Sequence, residues 1–290
     1  MIKRSYDLLR RLVPGVSWKH PLIAFGLRLL DPIDSFVRAT RGLSTQPRLS
    51  LRVRSNGLRG QFGGQKFYNL GQLFATELVR LADVCPDSKV LEIGCGVGRN
   101  AFGLASVLKH GGFTGVDIDK TSIDGVAGTN LSRDHGFRFE FIDVRNPEYN
   151  PDGVFEASDY RFCFEDSTFD VVFLVSVVTH ILPPDFEHYV SEIARMLRPG
   201  GRIAFTTFLM NEGVEFDGRL FSYGEGPWRS TNAEIPEICV GYHLDYLCEV
   251  LASNGFDVAA KPVLSEKRGS LPNRPTTPLG QDLIIAVKLA

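Results

Sequence analysis

Residues 90–100 read VLEIGCGVGRN, a β-branched run that breaks into glycine at every second position and continues into a helical stretch. That order is a strand, a turn and a helix start, and it constrains the fold more than any other part of the chain. Gly94, Gly96 and Gly98 let the backbone take positive φ and approach a bound molecule more closely than a side chain would permit. A glycine loop alone says little, but here Glu92 lies inside the strand and a second strand, residues 113–118, runs into Gly-Val-Asp-Ile-Asp. Asp117 follows Gly98 by 19 residues, about where an acidic side chain reaches the ribose hydroxyls of a nucleotide-like ligand in a doubly wound α/β fold.

The pattern continues downstream. Period and breakers predict strands at 89–94, 113–118, 137–142, 169–175 and 201–208, with helices at 70–83, 98–109, 121–133 and 185–197 between or before them. The tail supplies a helix at 243–254 and strands at 256–264 and 282–288. Strands alternating with helices mean a mostly parallel sheet covered on both faces. Residues 139–144 lead to Asp143 and Val144; the apolar run from Phe169 opens into a polar tip at Ser176, Thr179 and His180; residues 196–205 read MLRPGGRIAF.

The glycine spacing separates two ligand classes. A dinucleotide fingerprint is G-x-G-x-x-G, whose helix N-terminus receives a pyrophosphate. This chain carries E-x-G-x-G-x-G instead, followed by the acidic strand end and the MLRPGGRIAF turn in order. Over residues 71–204 it resembles the class I S-adenosylmethionine (SAM)-dependent methyltransferases, whose ligand has no phosphate and presents an amino-acid moiety to the loop. The resemblance implies a Rossmann-like, doubly wound, mostly parallel seven-stranded sheet with an antiparallel C-terminal hairpin, and SAM as cofactor. It also implies roles. Glu92 fixes the ligand's amino group through the loop; Gly94, Cys95, Gly96 and Gly98 line its methionine part, with Ser176 at the strand-four tip; Asp117 accepts from the ribose diol; Ile118 packs on the adenine; Asp143 and Val144 meet the adenine edge.

Methyl transfer to oxygen or nitrogen also releases a proton, so a base within reach helps. His180, just past strand four, is the first candidate, with Tyr223 and His243 behind it; a histidine in this place also occurs in the family without acting as a base. Tyr160 and Arg161 are candidates for the adenosine edge or an acidic acceptor group. No compact Asp/Asn/His ligand set is visible, so metal-free chemistry is the expectation.

The formal charge of −2 conceals an asymmetry: residues 1–60 hold twelve Lys and Arg against Asp7, Asp31 and Asp34, a balance of +9 that leaves −11 for the remainder. This segment is cut by Pro14, Pro21, Pro32 and Pro47 and reads as a basic arm of short helices preceding a methyltransferase domain at 61–290, with insertions at 146–168 and 210–242. The arm either lies on an anionic membrane surface or packs across the domain. No apolar run reaches the roughly 18 residues of a membrane span, and Arg10 and Arg11 interrupt any secretory signal core. Five cysteines without a C-x-x-C pair suit a reducing compartment, so the expectation is cytoplasmic, with peripheral membrane contact through residues 1–60.

The aromatic 210–242 connection, with Phe216, Phe221, Tyr223, Trp228 and Tyr242 in or after it, reads as a cap over a small-molecule or glycan acceptor methylated on oxygen. Protein or RNA methylation is the alternative; nucleic acid is disfavoured because Ser176-Val-Val-Thr179 stands where many nucleic-acid methyltransferases carry an Asn-Pro-Pro-Tyr-like tetrapeptide. A non-catalytic binding protein on this fold and a nicotinamide oxidoreductase complete the alternatives.

Overall fold

The computed structural model describes residues 21–210, 215–216, 218–257, 262–266, 276–277 and 279–290. The first twenty residues of the basic arm, part of the 210–242 connection and part of the expected 256–264 strand lie outside them.

Seven strands form the main sheet: β1 (Lys89–Ile93), β2 (Gly112–Asp117), β3 (Arg138–Phe141), β4 (Phe169–Leu174), β5 (Leu197–Thr207), β10 (Phe256–Asp257) and β13 (Asp282–Lys288). The order across the sheet is β10-β13-β5-β4-β1-β2-β3. β1 pairs in parallel with both β2 and β4, β4 in parallel with β5, and β13 antiparallel to β5 with β10 on its outer edge. The chain therefore leaves β1 toward β2 and β3, then returns to the other side of β1 to make β4. The carboxyl ends of β1 and β4 flank this switch point, where ligands of open α/β sheets bind.

Alternation along the central strands feeds two cores. Leu91, Ile93, Val172, Leu174, Ile203 and Phe205 face a layer with α7 (Pro183–Met196) and α8 (Leu244–Ser253), through Phe186, Tyr189, Ile193, Leu247 and Leu251. Val90, Val171, Phe173 and Ala204 face the opposite layer, with α3 (Gln65–Ala82), α4 (Arg99–Leu104), α5 (Lys120–Ala127) and α6 (Asn130–His135), through Phe74, Leu78, Leu104, Val126 and Leu131. Period-two patterning with both faces apolar is what a covered parallel sheet requires.

Local chemistry moves three boundaries. The expected 121–133 helix is two helices, because Gly128 closes the first and Thr129 caps the second by accepting from the Leu131 amide. The 98–109 helix is regular only to Leu104. In the expected 256–264 strand, Phe256–Asp257 pair with β13, and Leu264–Ser265 (β11) pair instead with Thr276–Thr277 (β12). Two short antiparallel pairs decorate the 210–242 connection: β6 (Glu215–Phe216) with β7 (Arg219–Leu220), and β8 (Trp228–Ser230) with β9 (Val240–Tyr242).

The N-terminal segment departs most from expectation. Pro32 does not end a helix; it lies inside the 20-residue α1 (Pro21–Thr40), on the exposed side. A buried polar network holds that helix to α2 (Leu49–Asn56). The Asp34 carboxylate accepts from Arg38 Nε at 2.8 Å, Arg52 Nη2 at 2.7 Å and the Gly63 amide at 2.8 Å, and Asp31 accepts from the amide and hydroxyl of Ser50. Burial pushes Asp34 toward its neutral form, but the two guanidinium groups and the amide win and hold its carboxyl below the ordinary range. The helix runs on through Pro32 with the bonds of Asp31 and Asp34 fixing its buried side, although a proline takes one hydrogen bond from a helix interior.

Candidate active site

A cavity of about 250 Å³ opens at the carboxyl ends of β1, β2 and β4. Its floor is the glycine loop. Gly94 and Gly96 have φ of +80° and +52°, and a Cβ on Gly94 would stand 2.2 Å from Val177 Cγ2, across the switch point from β4. A Cβ on Gly96 would come within 2.8 Å of the Ser55 hydroxyl of α2. Side chains here would both strain the turn and fill the cradle.

Glu92 and Asp117 are the carboxylates of this side. Glu92 is 1% exposed; one oxygen accepts from Asn100 Nδ2 at 2.6 Å, and its Oε2 is buried without a hydrogen-bond partner among the described residues. Burial outweighs the help of Asn100 and Arg99 and pushes its pKa up to about 8. Asp117 accepts from the Gly96 amide at 2.6 Å through Oδ2 and from the Asp119 amide at 2.8 Å through Oδ1, and burial raises it to about 6. Cys95, Ile118, Val144 and Ser176 also line the cavity. Burial raises the Cys95 thiol well above its ordinary range, so it stays protonated. Ser176 sits in the left-handed region at φ +58°, held there by its amide donating to Thr206 Oγ1 and by a hydroxyl contact with Gln281. Such a conformation in a non-glycine residue costs energy and persists where neighbours impose it.

Two of the expected cofactor residues stand elsewhere. Gly98, at φ +77°, packs toward α5 and α6, where an added Cβ would meet Val126 Cγ2 at 2.6 Å; it serves helix packing and does not line the cavity. Asp143 does not line it either. Its carboxylate accepts from Asn150 Nδ2 at 3.1 Å and its carbonyl accepts from the amides of Val154 and Phe155, which makes it a brace for the first insertion.

His180 closes the β4 side. Its Nδ1 lies 2.8 Å from the Glu237 carbonyl oxygen, and a carbonyl only accepts, so Nδ1 carries the proton and Nε2 is the basic nitrogen. Nε2 faces the Tyr149 hydroxyl at 3.5 Å, and the two rings meet edge to face. Burial lowers the His180 pKa despite the Glu237 carbonyl and Glu148, while desolvation pushes the Tyr149 phenol up to about 12. The pair is therefore neutral near pH 7. Ile181, Tyr189, Asp185, Glu156 and Glu237 complete this wall.

The wall has a different origin from the one expected. Phe221 and Tyr242 are fully buried, Phe216 packs with Phe208, Met210 and Phe221 in a separate cluster, and Glu237 is what the 210–242 connection contributes to the cavity among the described residues. Tyr223 and His243 do not line it. The 146–168 insertion supplies Asn146, Pro147, Tyr149, Glu156 and Ala157, whereas its Tyr160 and Arg161 stand outside, Tyr160 tilted against Phe155 and edge to face with Phe162. A third contribution comes from α2. Arg54, Ser55 and Asn56 line the mouth, with Arg54 bound to the Asp119 carboxylate and Asn56 Oδ1 accepting from Arg99 at 2.7 Å. Nothing in the local pattern of residues 49–56 marks them as cavity residues; only the run of arginines sets them apart.

Residues 91–205 match the family described as "Methyltransferase domain". These residues include the glycine loop, Asp117 and His180, on a sheet of the strand order given above. Over this stretch the chain is similar to the class I SAM-dependent methyltransferases. Among its curated relatives, Methyltransferase GfsG of Streptomyces halstedii is 27% identical over 72% of this chain and 65% of its own. The 27-O-demethylrifamycin SV methyltransferase of Amycolatopsis mediterranei is 31% identical over 51% of each. The chain thus spans between half and just under two thirds of these relatives' lengths. A solved structure, the PH0226 protein of Pyrococcus horikoshii, shares the fold with a TM-score of 0.50 and 18% identity, covering 81% of this chain and 97% of its own.

SAM is the group that this superfamily implies, and the residues present fit it. The partnerless Oε2 of Glu92 suits an ammonium group. Each Asp117 oxygen accepts one backbone amide and keeps a lone pair for a diol. The glycine cradle leaves room that any Cβ would take.

Proposed function

We propose that the protein transfers the methyl group of SAM to an oxygen of a small-molecule or glycan acceptor, with His180 as the base. One observation carries the reading: a single cavity joins a partnerless buried carboxylate oxygen on its β1–β2 side to an imidazole of fixed tautomer on its β4 side. Bound SAM supplies a sulfonium-activated methyl group, so the protein's task is alignment and proton removal. Glu92, Asp117, Ser176 and the loop from Gly94 to Gly96 hold the donor. The Glu237 carbonyl orients the imidazole, Nε2 takes the acceptor proton, and Tyr149 competes for Nε2 until the acceptor hydroxyl replaces it. Asp185 and Glu237 are acceptor-only groups suited to further hydroxyls, and Ile181, Tyr149 and Tyr189 give the acceptor an apolar bed. The relative named for 27-O-demethylrifamycin SV supports a small-molecule acceptor.

The same reading puts the protein in the cytoplasm, peripheral to a membrane. The +9 balance of residues 1–60 supports it, and no helix among the described residues is long and apolar enough to cross a bilayer.

Methyl-labelled SAM incubated with the protein and a fractionated cell extract tests the acceptor class. Label should enter the low-molecular-weight or glycan fraction. Label confined to protein or RNA would contradict the reading.

A further inference from the structure

α1 is built inside out. Its buried face carries Asp34 and Arg38, at 0% and 4% exposure, while Leu22, Phe25, Leu29, Ile33 and Phe36 are 76%, 62%, 62%, 56% and 72% exposed. These five recur every three or four residues and form one stripe along a helix roughly 30 Å long, with Leu30 at its border. Isolated exposed leucines need no explanation, but a continuous stripe of five large apolar side chains opposite a buried ion-pair network marks a contact surface.

The charge around the stripe selects the partner. Residues 21–60 contain seven arginines and two acidic residues, Asp31 and Asp34. Both acids are turned inward: Asp34 is buried against Arg38 and Arg52, and Asp31 is bound by Ser50 and lies 3.9 Å from Arg48. Arg28 and Arg41 remain exposed on and just beyond the helix, and the chain enters it from a segment with five Lys and Arg against one Asp. Apolar side chains along one stripe, on a segment whose exposed charges are basic, are the chemistry of a helix lying in the interface of an anionic bilayer.

We infer that α1 docks on an anionic lipid surface through Leu22, Phe25, Leu29, Ile33 and Phe36. The inference rests on the peripheral placement proposed above and names the element responsible for it. α2 links that element to the site, because Arg52 and Ser50 grip α1 while Arg54, Ser55 and Asn56 line the cavity. Docking would thus hold the cavity at a fixed attitude to the membrane.

The test is co-sedimentation of the full chain with vesicles of phosphatidylcholine alone and with about one third phosphatidylglycerol. The full chain should bind the anionic vesicles at least tenfold better, and binding should fall as salt rises from 0.1 to 0.5 M. The triple variant Phe25→Gln, Leu29→Gln, Phe36→Gln should lose at least tenfold of that binding while keeping its melting temperature and its affinity for S-adenosylhomocysteine. Equal binding by the variant would overturn docking through α1 and leave the charge-based placement standing. No binding by the full chain would overturn both. A full-chain dimer in light scattering that the triple variant dissolves would assign the stripe to a second copy and overturn the lipid assignment.

Discussion

At the residue scale, Glu92 and His180, on opposite sides of the cavity, are tuned in opposite senses, and each shift makes a prediction. Glu92, raised to about 8 by burial, keeps its proton at pH 7 in the free protein, whereas the role proposed for it, receiving an ammonium group, requires the ionised form. Donor binding should therefore expel a proton, and the affinity should rise with pH from 6 to 8 and level off above. Calorimetry in buffers of different ionisation enthalpy checks this, and Glu92→Gln should remove that component; a proton count unchanged by the substitution would refute the role. His180 is lowered by burial, so its basic form persists below the ordinary imidazole midpoint of about 6.5. An unperturbed imidazole would centre the rise in rate near its ordinary midpoint; the buried ring moves it lower. The rate should climb with pH at a midpoint below 6.5 and be flat near 7. His180→Gln should abolish the climb and cut turnover by about 10² while donor affinity stays within twofold. Near-normal turnover with an unchanged profile would leave alignment alone as the catalytic device.

At the scale of elements, Gly96 and Gly98 look alike in sequence and differ in task. Gly98→Ala forces a Cβ to 2.6 Å from Val126 and keeps φ at +77°, so it should destabilise the protein by about 1–3 kcal/mol in urea denaturation with donor affinity unchanged. A loss of affinity without a loss of stability would return Gly98 to the ligand. Asp34→Ala strands two buried guanidinium groups, and about 3–5 kcal/mol should be lost, with α1 and α2 loosening together; a change below 1 kcal/mol would show that the network is unimportant. These cases also mark what the chain reveals on reading. The sheet, its two covered faces and the positions of Glu92, Asp117 and His180 were legible because they rest on short-range period and spacing. α1 running through Pro32, the arrival of Arg54 at the cavity and the burial of Phe221 and Tyr242 were not, because each depends on a partner distant in the chain: Asp34 with Arg52, Arg54 with Asp119, and the Tyr242 hydroxyl donating to the Ile181 carbonyl. Asp143 has the right position on its strand but is claimed by Asn150, which no spacing rule anticipates.

At the scale of the whole molecule, two regions divide the work. The sheet's switch point brings loop, carboxylates and imidazole into one cavity, and of the basic N-terminal helices α2 walls that cavity while α1 turns an apolar stripe outward. The central claim is that this cavity binds a sulfonium nucleoside in preference to a dinucleotide. Titration calorimetry of the full chain with SAM, S-adenosylhomocysteine and NAD tests it most directly. The first two should bind and NAD should not, and Asp117→Ala should cost about 1.5–3 kcal/mol, the range of a hydrogen bond to a charged group. NAD binding more tightly than SAM, or an Asp117→Ala variant that binds SAM as well as the parent, would contradict it.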